Sequence, residues 1–172
     1  MPRILIFTGE GKGKTTAALG MALRAQGHGM QVAVLHFVKG RRDVGEVMAL
    51  ERMNGIQDFV GGLGFLPHPD KPEFKDHVKA AHDCLVKAAD LIADPDCNMI
   101  ILDEICWAIH KGLIPEPDVI KLLNSAPEDK VVVLTGRFAS QTLMACADTV
   151  TEMRSIKHAF DQGVPAQKGI EK

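Results

Sequence analysis

Short apolar runs alternate along the chain with segments whose apolar positions recur every three to four residues. This alternation predicts an α/β fold with helices flanking a mostly parallel central sheet. Arg3 to Phe7 reads as a first strand, continuous and apolar as befits a strand covered on both faces. A helix is expected over Thr15 to Ala25, ended by Gly27, then a strand over Val32 to Phe37 and a short helix over Gly45 to Met53. Ile56 to Val60 reads as a third strand, and the Gly- and Pro-rich stretch Gly61 to Pro69 as a loop. A long helix follows, with Phe74, Val78, Ala81, Leu85, Ala89 and Ile92 spaced for one buried face, and Asp94-Pro95 stops it. Further strands are expected at Met99 to Leu102, Lys130 to Thr135 and, at an edge, Thr149 to Met153. Helices fall at Ile105 to His110, Pro117 to Leu123 and Gln141 to Ala147, and the tail after Lys157 reads as mostly irregular.

Composition narrows the class. The 172 residues fit one domain (1–172), with 46% apolar and 24% charged residues as in ordinary globular chains. A formal charge of −2, from 20 Lys and Arg against 22 Asp and Glu, supplies no global field for nucleic acid or an anionic membrane. No apolar run approaches the roughly 18 residues of a membrane span. No secretory pattern precedes the first strand, so the expected compartment is the cytoplasm. Cys84, Cys97, Cys106 and Cys146 lack CxxC spacing and are expected as buried thiols rather than a disulfide or zinc framework.

The chemistry concentrates in Thr8, Gly9, Glu10, Gly11, Lys12, Gly13, Lys14, Thr15 and Thr16, between the first strand and the first helix. Strand, glycine-rich loop and helix together form a phosphate-binding loop. Backbone N–H groups turn inward around phosphate oxygens, and the helix N-terminus adds its positive dipole end. Lys14 would lie along the phosphates and the Thr15 hydroxyl would ligate Mg²⁺. Aligned on Gly13-Lys14-Thr15, the position where GxxxxGK[ST] has its first glycine holds Thr8. Polyphosphate binding is still expected, with a non-standard nucleotide pose. Asp103-Glu104, closing the strand from Met99, would face the same sheet edge, where either can hold the metal or its waters. Asp103 could also cap the following helix.

Other segments make the chain resemble one family, the P-loop ATP:corrinoid adenosyltransferases. They include Arg24 to Gly29, Phe37-Val-Lys-Gly40 with Gly45-Glu46, Leu102-Asp-Glu104 and Leu134-Thr-Gly-Arg137. Ala147 to Met153, Lys157-His-Ala-Phe160 and Gly163 to Glu171 complete the set, so the likeness runs through the whole chain. The resemblance implies a single-domain P-loop (RecA-like) fold and transfer of the 5′-deoxyadenosyl group of ATP to Co(I) of a corrinoid, with triphosphate leaving whole. ATP would sit reversed relative to ordinary P-loop enzymes, which suits Thr8 at the loop's first position. Lys14, Thr15 and Glu104 would be the catalytic groups, Thr15, Asp103 and Glu104 the Mg²⁺ neighbours, and Arg24 and Arg137 further nucleotide contacts. Phe65 aligns with the family's aromatic beneath the corrin ring, whereas the second aromatic is replaced by Pro67. A homodimer and a reductant protein that makes Co(I) are family expectations. The segment that often precedes the first strand in the family is absent here, so a more open site, or a lid from other elements, is expected.

Of the seven histidines, His77 and His82 are five apart and do not share a helical face as cleanly as i,i+4 would. His68, between prolines, is the only one expected near the chemistry, and a ligating imidazole would oppose the four-coordinate cobalt the family uses. Trp107 is expected in the core. The charges Lys71, Lys75, Lys79, Asp83, Lys87 and Asp90 read as the solvated face of the long helix. Two other readings stay open: an NTPase or kinase that cleaves the γ-phosphate, and a carrier or sensor that binds both ligands without turnover.

Overall fold

The computed structural model describes residues 1–41 and 43–170; Glu171, at the end of the closing motif, lies outside them. Six strands form one sheet, β1 (Arg3–Thr8), β2 (Val32–His36), β3 (Ile56–Val60), β4 (Met99–Asp103), β5 (Val131–Thr135) and β6 (Thr149–Glu152), in the order β3-β2-β4-β5-β1-β6. Every pairing is parallel, including that of the edge strand β6 with β1. The sheet is therefore wholly rather than mostly parallel, and all six carboxyl ends meet at one edge. Helices α1 (Lys14–Gly27), α2 (Gly45–Leu50), α3 (Phe74–Ala93), α4 (Ile105–His110), α5 (Glu116–Ser125) and α6 (Gln141–Ala145) make the crossovers, and a short 3-10 helix spans Ala159–Gln162.

Because successive strand side chains face opposite sides, the sheet has two apolar layers. Ala18, Ala22 and Ala25 of α1 pack on Val32, Val34, Met99, Ile101 and Val133, with Leu50 of α2 in the same layer. On the other face α3, α4, α5 and α6 cover Ile4, Ile6, Ala33, Leu35, Ile100, Leu102, Val132 and Leu134. Small alanines on α1 let it lie close to the sheet, which sets its N-terminus against the end of β1.

The buried face of α3 follows its expected position except at Ala89, with Phe74, Val78 and Leu85 half-buried against the core. Ala81, Cys84, Ala88, Leu91 and Ile92 are the buried residues, while Ala89 is exposed. Cys84 behaves as a small apolar side chain and joins the stripe. Lys79 and Asp83 pair at 2.7 Å on the outer face, and the Lys87 ammonium lies 5.0 Å from the Phe59 ring centre. Trp107 is half-buried, with Lys111 over its ring.

All four cysteines are free thiols. Burial pushes Cys84 and Cys106 up to about 12 and raises Cys97 as well. Among the described residues no helix is long and apolar enough to cross a membrane.

At the opposite end of the sheet from the strands' carboxyl edge, Lys130 is 2% exposed. Its Nζ donates to the carbonyls of Asp94 and Cys97, both at 2.6 Å, and ties the turn after α3 to the start of β5. Lys130→Met keeps the stem and removes both donors. Urea denaturation should show a loss of about 2–4 kcal/mol, since each carbonyl forfeits a charge-assisted bond.

Candidate nucleotide site

The phosphate loop bridges β1 and α1 and is shaped by contact with the chain leaving β6. Gly11 N–H donates to Met153 O at 2.6 Å, and Met153 N–H to Thr8 O at 2.8 Å. Gly9 has φ +94°, and a Cβ there would stand 2.5 Å from Met153 O. A side chain is excluded twice, by backbone conformation and by space. Thr8 is buried; its hydroxyl accepts from the Ala139 N–H at 3.3 Å, so it braces the loop from behind. Lys14, the first residue of α1, donates through Nζ to Gly9 O (2.8 Å) and Gly11 O (2.7 Å). Burial lowers its pKa, with the Glu104 charge opposing.

The alternation that builds the α1-side core turns polar at the carboxyl edge. Val32 and Val34 are followed by His36, Met99 and Ile101 by Asp103, and Val131 and Val133 by Thr135. These polar residues are fully buried. Asp103 Oδ1 accepts from the hydroxyls of Thr15 (2.7 Å) and Thr135 (2.8 Å). Its Oδ2 accepts from His36 Nδ1 at 2.7 Å and lies 3.2 Å from Lys39 Nζ. Burial opposes the Asp103 charge, but these partners, His36 first, hold its carboxyl well below the usual carboxylate range. Burial likewise opposes charge on His36; its bonds to Asp103 and to Asp58 (3.0 Å from Nε2) outweigh that and raise it to about 9. Lys39 also bonds Glu46 at 2.8 Å. Asp103 thus does not cap α4. The cap position is Glu104, at φ 63° and without a side-chain cap bond, its N–H donating to Thr135 Oγ1. Burial and the Asp103 charge raise the Glu104 pKa.

A cavity of about 530 Å³ opens above this edge, lined by Glu10 to Thr16, Lys39, Glu46, Glu104 and Arg137, with Leu19, Gly45, His158, Gly169 and Ile170. A second cavity of about 620 Å³ shares Glu10, Arg137, His158 and Ile170 and continues under Phe160 and Val164 to Gln167. The segment beyond β6 thus supplies part of the cover: Lys12 Nζ donates to Ile170 O at 2.6 Å.

Most of the expected residues converge. Glu10, Gly11, Lys12, Gly13, Lys14, Thr15, Thr16, Glu104 and Arg137 line the cavity. Arg137 pairs with Glu10 at 3.1 Å. Thr8 and Gly9 shape it without lining it, and Asp103 lies beneath it. Arg24 is not brought in; it sits exposed in the last turn of α1, about 15 Å along the axis from Lys14. Phe65 is 95% exposed on the loop after β3, outside both cavities. The loop is nonetheless tied to the site, since Gly61 and Gly62 N–H both donate to His36 O.

His68 is not the only histidine to consider. It is exposed beside Asp70, whereas His36 lies under the cavity and His158 lines it. His36 escaped the sequence reading, although a polar residue ending an apolar strand was a usable signal. Lys39 and Glu46, from the segments Phe37-Val-Lys-Gly40 and Gly45-Glu46, also line the cavity, where the sequence alone assigns them no role.

The fold and this edge define a P-loop nucleotide-binding protein, with one strand (β5) between the loop strand and the acidic strand. A family model described as ATP:corrinoid adenosyltransferase BtuR/CobO/CobP matches residues 1–171, and the chain belongs to that family. The Corrinoid adenosyltransferase of Escherichia coli (strain K12) is 40% identical over 168 residues, 98% of this chain and 84% of that protein. The Corrinoid adenosyltransferase CobA of Salmonella typhimurium (strain LT2) gives the same figures. The Pseudomonas aeruginosa Corrinoid adenosyltransferase is 40% identical over 169 residues, 98% of this chain and 82% of its own length.

Gly9→Ala tests the loop's dependence on its close approach to β6. Calorimetric titration should show ATP affinity falling about tenfold or more, because the Cβ would push the loop backbone away from Met153 and change its shape.

Proposed function

We propose that this chain transfers the 5′-deoxyadenosyl group of ATP to Co(I) of a corrinoid and releases triphosphate. The observation that carries this is an intact phosphate cradle in a chain that belongs, over residues 1–171, to the ATP:corrinoid adenosyltransferases. Co(I) attacks C5′, the cobalt–carbon bond forms, and the C5′–O bond breaks with its electron pair leaving on the triphosphate. Co(I) is itself the nucleophile, so no side-chain base is required. The protein's work is to hold C5′ against cobalt and stabilise charge on the leaving group. Lys14, Lys12 and the N-terminus of α1 supply that stabilisation, with Arg137 at the rim.

The donor set fits Mg²⁺. Thr15 gives its one hydroxyl proton to Asp103, which leaves its lone pairs available to a cation, and Glu104 brings a carboxylate to the same cavity. Asp103 already takes four donors and therefore orients Thr15 rather than binding metal directly. When bound, Mg²⁺ would neutralise part of the triphosphate charge. Phe65, which is exposed, would meet the corrin ring. A second copy of the chain and a reductant protein are further expected partners. The free thiols suit the cytoplasm.

Anaerobic incubation with ATP, Mg²⁺ and chemically reduced cob(I)alamin should convert the visible spectrum to that of adenosylcobalamin, with triphosphate as the phosphate product. Orthophosphate without spectral change would instead support a γ-phosphate-cleaving enzyme. Lys14→Ala should lower kcat/KM by about 100-fold or more, as expected when a charge on the leaving group loses its partner. Phe65→Ala should slow the reaction that starts from Co(II) far more than transfer to pre-reduced Co(I). An equal fall in both would remove any particular role for Phe65 in the reduction of Co(II).

A further inference from the structure

Asp103 faces two kinds of donor. Its Oδ1 takes the two threonine hydroxyls and its Oδ2 takes His36 and Lys39. Rotation of the carboxylate would break all of these at once, so whatever grips Oδ2 also sets the direction of the Thr15 hydroxyl. Lys39 is a poor grip. Its ammonium is shared with Glu46, and it lines the cavity, where bound phosphate would compete for it. His36 has neither weakness: it is fully buried and reaches no cavity.

Both ring nitrogens of His36 face carboxylates, Nδ1 towards Asp103 and Nε2 towards Asp58. A ring that donates on both sides cannot flip without losing a partner. Asp58, on the edge strand β3, has a side chain 4% exposed, and its second oxygen, Oδ2, is buried with no hydrogen-bond partner among the described residues. A buried carboxylate with an unsatisfied oxygen is costly, and the bond it does make is to His36.

We propose that His36, braced from behind by Asp58, is a positioning residue for adenosyl transfer. It locks the Asp103 carboxylate so that Thr15 spends its proton on Asp103 and presents its lone pairs to the nucleotide-bound cation. The proposal rests on the reading above that Thr15 holds Mg²⁺.

The test uses the full chain with ATP alone, in EDTA and in Mg²⁺, without corrinoid, and compares His36→Asn, His36→Gln and Asp58→Asn. Asn places its amide nitrogen near the position of Nδ1 and so keeps the bond to Asp103. Gln places its nitrogen near Nε2 and loses it. The readout is the ratio of ATP dissociation constants without and with Mg²⁺. That ratio should fall by about 10-fold or more in His36→Gln, the usual cost of losing an outer partner of a metal site, and by less than about 3-fold in His36→Asn. ATP affinity in EDTA should stay near wild type in both. Asp58→Asn should lower the ratio by an intermediate factor, and it carries the test if His36→Gln proves unfolded by circular dichroism. An unchanged ratio in His36→Gln, or in Asp58→Asn where that variant carries the test, overturns the proposal. Equal falls with and without Mg²⁺ also overturn it, because they would mark a merely structural residue. If wild type itself gains nothing from Mg²⁺, the Thr15 reading fails first and the proposal with it.

Discussion

One buried carboxylate organises this molecule's working edge. Asp103 has no access to water, so its charge must be met by protein donors, and they come from four separate places: Thr15 on α1, His36 on β2, Thr135 on β5 and Lys39 on the loop after β2. Removing a partner from a buried charge costs far more than an exposed ion pair contributes. The demand therefore fixes the height of α1 against the sheet and the spacing of the loops above it. It also extends outward. The His36 carbonyl holds Gly61 and Gly62, and a Cβ on Gly62 would stand 2.2 Å from the Val38 carbonyl carbon, so the loop that carries Phe65 is anchored on the same strand end.

Above that anchor, the site divides its tasks by position. The glycine loop, Lys14 and the acidic groups Glu10, Glu46 and Glu104 line the cavity, and the segment beyond β6 closes over Lys12 through Ile170. The arrangement suits a displacement in which the nucleophile arrives ready-made on a metal. What must be supplied is placement and stabilisation of a departing polyanion, and both depend on fixed geometry more than on proton transfer. Glu104, held at a left-handed φ beside Asp103, shows how much local backbone strain the edge tolerates to bring a carboxylate there.

The strands, the phosphate loop and the acidic pair were legible in the sequence because each is a local pattern. A continuous apolar run between breakers can only be a covered strand in an alternating chain, and a glycine loop between strand and helix has few other uses. The same local logic misplaced part of α3. Periodicity gives a stripe and not its centre, and Cys84 rather than Ala89 turned out to face the sheet. Arg24 lies inside a matching segment, yet ten residues of helix separate it from Lys14 and it does not line the cavity.

By itself the sequence determined where the glycine loop joins strand to helix, which strand ended in acid, and that the chain is built of alternating strands and helices. All of these depend on contacts between near neighbours or on period. Only the tertiary structure decided that His36, Asp58, Lys39 and Thr135 gather around Asp103, and that residues near 170 return to the loop at 12. Those residues are separated by up to 158 positions along the chain. Their meeting follows from strand order, parallel register and the pleat that sends alternate side chains to one face, and none of these is written in any local stretch of sequence.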